Sequence, residues 1–158
     1  MLSRRNNRAV RTLVVVTAIS MLSLTGCGNS GPKMHAVKGK VEIEAGEVKN
    51  LAGTNIEASL DADPTVRASG VVGADGSFTL ETLHEGVIKK GAREGTYQVR
   101  FILPDDDKEA RRAAARSLDK RFLKFETSGL TLQVPSTGDV TLKVVPRPAN
   151  SKIDDRSE

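Results

Sequence analysis

Tyr97-Gln98-Val99-Arg100-Phe101-Ile102-Leu103 alternates: Tyr97, Val99, Phe101 and Leu103 fall on one face, Gln98 and Arg100 on the other. Successive side chains of a strand point to opposite sides, so this period of two predicts a β-strand with one buried face. The same reading extends outward. Val37, Val41 and Ile43 alternate with Lys38, Lys40 and Glu42, and Ile56, Ala58 and Leu60 with Asn55, Glu57 and Ser59. Val66 to Val72 forms a third, less regular strand. It is expected to pair with Phe78-Thr79-Leu80 across Gly73-Ala74-Asp75-Gly76, where Asp-Gly supplies the positive φ of a tight hairpin. Leu130, Leu132 and Val134 make another strand, and Val140, Leu142 and Val144 the last, after the turn signal Pro135 to Asp139. Strands at hairpin spacing predict an all-β fold, a seven-stranded antiparallel β-sandwich over 36–146. One short inserted helix interrupts it. Pro104 and Asp105-Asp106-Asp107 precede an Ala- and Arg-rich run from Glu109 to Leu118, which places acids at a helix start and cations toward its end.

The N-terminus carries a different signal. Arg4, Arg5, Arg8 and Arg11 stand before the apolar run Thr12 to Leu22, which is too short to span a bilayer comfortably. Leu24-Thr25-Gly26-Cys27 closes the segment. This order of charge, apolar run, small residues and cysteine resembles a bacterial lipoprotein signal peptide. The resemblance implies cleavage before Cys27, so that 1–26 is removed and Cys27 is the lipidation site, with Leu24, Thr25 and Gly26 as its lipobox. Residues 27–35 then read as a tether and 147–158 as a disordered tail. The membrane is the first expected partner, through the N-terminal lipid. The location is the cell envelope, where Gly28 rather than Asp after the cysteine favours the outer membrane over the inner.

Cleavage also changes the charge. The chain holds 24 Lys and Arg against 20 Asp and Glu, but four of the arginines precede Cys27, which leaves 20 of each sign. A balanced domain has no excess of cations for phosphates, so no nucleic-acid binding is expected. Lys108, Arg111, Arg112, Arg116, Lys120, Arg121 and Lys124 do cluster, interleaved with acids expected to neutralise them through helix-spaced pairs. The single cysteine excludes an internal disulfide. With no Trp and few aromatics, aliphatic side chains must supply the core.

Val37-Lys38-Gly39-Lys40-Val41, Leu51-Ala52-Gly53-Thr54-Asn55-Ile56, Asp75-Gly76-Ser77-Phe78-Thr79-Leu80 and Gly95-Thr96-Tyr97-Gln98-Val99 occur in the order of the transthyretin-like, carboxypeptidase regulatory-like sandwich, which the chain resembles from Val37 to Val145. Arg121-Phe122, Thr127-Ser128-Gly129-Leu130-Thr131 and Val140-Thr141-Leu142 are similar to planctomycete-type small lipoproteins with that domain. Val48-Lys49-Asn50 replaces the proline common before the Leu-x-Gly element. The resemblance implies a fold and an envelope location without implying an activity.

Residues suited to chemistry are sparse. Asp61, Asp63, Asp105 to Asp107, His35 and His84 lack metal-ligand spacing; Asp61-Ala62-Asp63-Pro64 reads as a turn using side-chain hydrogen bonds, and the triple Asp as a helix start. No Gly-x-Ser-x-Gly elbow is present, and the histidines fall in the tether and in a loop beside Glu85-Gly86. The expectation is a non-enzymatic module with no catalytic residue, cofactor or metal, serving a structural or interaction role. The alternative is a carbohydrate- or peptide-binding module on the same scaffold, with an envelope protein or glycan as partner. Phe122 and Phe125 are the only rings available to a sugar platform, and Val66 to Val72 is the candidate edge strand for a peptide.

Overall fold

The structure, a computed structural model, describes residues 31–149. Eleven strands occur among them: β1 (Met34–His35), β2 (Lys38–Ile43), β3 (Asn55–Leu60), β4 (Asp63–Val71), β5 (Ser77–Thr79), β6 (Glu81–His84), β7 (Val87–Lys90), β8 (Ala92–Arg93), β9 (Gly95–Ile102), β10 (Leu130–Val134) and β11 (Val140–Val144). They form a six-stranded sheet in the order β10-β9-β3-β4-β6-β7, a three-stranded sheet β11-β2-β5 and a two-stranded ribbon β1-β8. The fold is therefore all-β, with short helices.

The alternating positions lie where their period predicts. Tyr97, Val99 and Phe101 are fully buried while Gln98 is exposed. They join Ile56, Ala58 and Leu60 of β3, Leu132 and Val134 of β10, and Val41, Phe78, Leu142 and Val144 of the three-stranded sheet in one core. Each large side chain so buried contributes about 1.5 to 3 kcal/mol, so packing holds this domain with no disulfide. The Tyr97 hydroxyl donates to the Arg93 carbonyl at 2.9 Å. Burial pushes the Tyr97 phenol up from its ordinary value, against that hydrogen bond.

All seven expected strands exist, but four more were not legible. Met34–His35 falls within the expected tether and pairs with β8 instead. β6 and β7 form a hairpin through Glu85 and Gly86, both at positive φ (51° and 77°), the backbone a two-residue turn requires. Only Thr82 of this hairpin is buried, so its sequence lacks the inward apolar row that marks a strand.

The pairing also departs from expectation in two places. Val66 to Val72 lies within or directly after β4, which pairs with β3 and β6 and so occupies the sheet interior; the edges are β7 and β10. The following chain does not return alongside β4. Gly76 has the expected positive φ of 83°, and Gly73 accepts from the Gly76 N–H and donates to Ser77, but the Gly76 carbonyl then accepts from the Val41 N–H at 2.9 Å. That bond carries β5 onto β2, in the other sheet. β4 and β5 cross closely at Gly70, where a Cβ would stand 2.3 Å from the Thr79 carbonyl oxygen. The Asp-Gly turn thus joins two sheets, and the expected hairpin is corrected. β11 runs parallel to β2, so the sheets are not wholly antiparallel.

The inserted helix is present as α1 (Lys108–Ser117). Asp107 caps it, its carboxylate accepting from the N–H groups of Glu109 at 2.8 Å and Ala110 at 3.0 Å. It buries Ala114, and Leu118 beyond it enters the core. A second helical turn, α2 (Phe125–Ser128), and 3-10 turns at Val48–Leu51 and Lys120–Leu123 accompany it. The first of these turns, which includes Val48-Lys49-Asn50, buries Leu51. Of the expected tail, Arg147 donates to the Ala115 carbonyl at 3.1 Å, which ties the chain to α1.

Candidate functional site

Leu24, Thr25, Gly26 and Cys27 lie outside the described residues. Among those described, the strongest side-chain constellation sits on the outer face of the six-stranded sheet. The register sets Glu57 of β3 directly opposite Arg100 of β9, with Arg67 of β4 one diagonal away. Glu57 accepts from Arg100 Nε at 2.6 Å with one oxygen and from Arg67 Nη1 at 2.6 Å with the other. Above them the Phe125 ring lies 4.6 Å from the Arg100 guanidinium carbon and 5.5 Å from that of Arg67.

Burial works to raise the Glu57 carboxyl, but hydrogen bonds from Arg67 and Arg100, and then their charges, hold it below its ordinary value. A carboxylate kept ionised by two guanidiniums is a poor proton carrier. The cluster instead fastens α2 to the sheet through ring and cation contacts. Two cations against one anion leave one positive charge in excess among these three side chains. Arg100 was expected to be a plain surface residue. No sequence signal pairs it with Glu57, 43 positions away, before the strand register is known.

The remaining candidates are local. Asp63 accepts from the Thr65 hydroxyl at 2.6 Å and its N–H at 3.2 Å, contacts that lower its pKa, as the turn reading predicts. Asp75 does the same with Ser77. Asp105 pairs with Arg111, and Asp107 caps α1. His84 ends β6 with Nε2 3.9 Å from the Glu85 carboxylate, and His35 lies in β1. Among the described residues no three His, Cys, Asp or Glu side chains converge in a way that could hold a metal.

Open clefts occur among the described residues. One, of about 500 Å³, is lined by Lys38, Lys40, Phe78 and Asp139 among others; the second, of about 290 Å³, includes Arg100, Asp105 and Arg111. Neither gathers His84 with a carboxylate. Phe122 is fully buried and so is lost to any sugar platform, and Phe125 is half-buried over its two arginines. The helix-spaced pairs expected for the basic cluster do not form. Arg111 reaches back to Asp105 before the helix, and Arg121 lies 4.6 Å from the Phe122 ring.

No helix among the described residues is long and apolar enough to cross a membrane. No protein-family model matches the chain, and no curated protein matches it.

Proposed function

We propose that this chain is a lipid-anchored module of the cell envelope, built on a transthyretin-like or Ig-like β-sandwich, with a non-enzymatic structural or interaction role. The observation that carries the reading is Leu24-Thr25-Gly26-Cys27 at the end of an arginine-led apolar segment, with no other cysteine in the chain. Two or three acyl chains at Cys27 add about 0.8 kcal/mol per buried methylene, enough to keep the domain on a membrane.

Two features support the sandwich type. The inward faces of the six- and three-stranded sheets share one hydrophobic core, and the Tyr97 hydroxyl bonds a carbonyl four residues upstream, a corner device of Greek-key sandwiches. The non-enzymatic role is supported by how the polar side chains are spent: Asp63, Asp75 and Asp107 serve turns and a cap, and Glu57 is held between two arginines.

Fractionation of cells expressing Cys27→Ser tests the anchor. The wild-type chain should partition with membranes and the variant should leave them. A variant retained wholly in the membrane pellet would make the apolar segment a permanent anchor and sink the lipid reading.

A further inference from the structure

The β6–β7 hairpin is apolar on the outside. Leu83 and Ile88 face each other across the two strands, 69 % and 67 % exposed, and Val87 beside the turn is 58 % exposed. Leu83 and Ile88 point to one face of the ribbon and Val87, opposite His84, to the other. β4 pairs with β6 only through Ala68 and Ser69, so the residues from Leu83 onward have no registered partner on that side. β7 is the last strand of its sheet. Three large aliphatic side chains gathered at one exposed tip mark a contact surface.

We infer that this hairpin is a membrane-contact element, whose tip enters the headgroup interface of the bilayer that holds the lipid. The placement of these side chains favours lipid over a protein groove: a strand docked on a protein buries one face, whereas this tip exposes large aliphatic groups on two, Leu83 and Ile88 on one and Val87, beside His84, on the other. Lys89 and Lys90 follow immediately at the base of the tip, Lys90 opposite Glu81 and Lys89 opposite Thr82, so that the Lys89 ammonium is the cation at that level with no carboxylate across the ribbon and can meet a lipid phosphate. Glu85, 85 % exposed in the turn, resists the hydrocarbon, so penetration ends at the interface. The chain's path allows the contact. β1 lies against β7, and seven residues from Cys27 to Met34 reach at most about 24 Å. A lipid on Cys27 would therefore hold β1, and β7 beside it, within that reach of the bilayer. The inference rests on the lipid-anchor reading for that proximity, and on the hairpin alone for its chemistry.

The test uses the full chain, expressed in bacteria and reconstituted into vesicles of phosphatidylethanolamine and phosphatidylglycerol. A nitroxide is attached to Ile88→Cys or, as control, to Thr131→Cys. Thr131 is exposed on β10, the opposite edge of the same sheet, five strand spacings or about 24 Å away. Both sites are on the surface, so neither substitution opens the core, and mass spectrometry reports the state of Cys27 in each sample. On vesicles the Ile88 label should become several-fold more accessible to oxygen than to a water-soluble nickel chelate, while the Thr131 label stays open to the chelate. An Ile88 label as open to the chelate as Thr131, on a chain with lipidated Cys27, overturns this inference and leaves the anchor standing. If mass spectrometry shows Cys27 without lipid, the anchor falls, and the label is then read on the Cys27→Ser, Ile88→Cys chain, where the nitroxide has a single thiol to take; an Ile88 label still in the interface there sustains the hairpin. Failure of both overturns both. Spin–spin broadening between Ile88 labels would show a second copy of the chain covering the hairpin and would also overturn it.

Discussion

Replacing Gly76 with Ala should cost far more than the same change at Gly86, although both glycines have nearly the same backbone, φ 83° and 77°. The conformational penalty of a left-handed residue with a Cβ, about 1 kcal/mol, applies to each. At Gly86 nothing lies within 4 Å of the added carbon, so that penalty is the whole effect. At Gly76 the new carbon would stand 2.7 Å from the Val41 carbonyl oxygen and 2.8 Å from Val48 Cγ2. The Val48 methyl can turn aside. The Val41 carbonyl belongs to β2 and cannot move without loosening the bond from the Val41 N–H to the Gly76 carbonyl, worth about 1 kcal/mol. With residual crowding the total reaches about 2 to 3 kcal/mol. Tyr97 is the one tyrosine in a chain without Trp and is fully buried, so urea unfolding can be followed by its fluorescence. Equal losses at the two positions, or a smaller loss at Gly76, would refute the placement of this turn against β2.

Phe101→Ala should lose about 3 to 5 kcal/mol in the same assay, because the side chain is 1 % exposed at the centre of the core. Arg100→Ala should lose about 1 kcal/mol, more than an isolated surface cation, since it breaks the Glu57 pair and the Phe125 contact together; reversed sensitivities would put the strand in the wrong register. The folded Glu57 carboxyl lies below its ordinary 4.5, so its contribution is present above that pH and is lost as pH falls through the folded value. Melting temperatures of wild type and Glu57→Gln should therefore differ near neutrality and converge in acid, and parallel curves down through the carboxylate range would count against the clamp. Titration of a chain beginning at Cys27 with mixed-sequence DNA at low salt should yield no complex, given its 20 cations against 20 anions; a micromolar, salt-sensitive one would restore the basic cluster as a phosphate site.

Alternation placed Tyr97, Val99 and Phe101 in the core, and the residue types around them named all seven principal strands, the helix that starts after the triple Asp, and the positive φ of Gly76. These are local consequences: a strand's period states which of its faces is buried, and a cap or a glycine acts within a few residues. Which strand lies beside which is a different kind of fact. Gly73 to Gly76 fits a hairpin as well as a crossing between sheets, and the choice rests on Val41, 35 positions upstream, offering its N–H to the Gly76 carbonyl. The β6–β7 hairpin escaped notice because its apolar residues point outward, so a pattern written for burial does not mark it. Glu57, Arg67 and Arg100 become neighbours through strand register, a long-range property with no local trace in any of the three segments. The proposed lipobox, Leu24 to Cys27, is a reading of the opposite kind: it rests on four consecutive residues alone, because lipidation would act on the chain as a linear segment and need no tertiary contact.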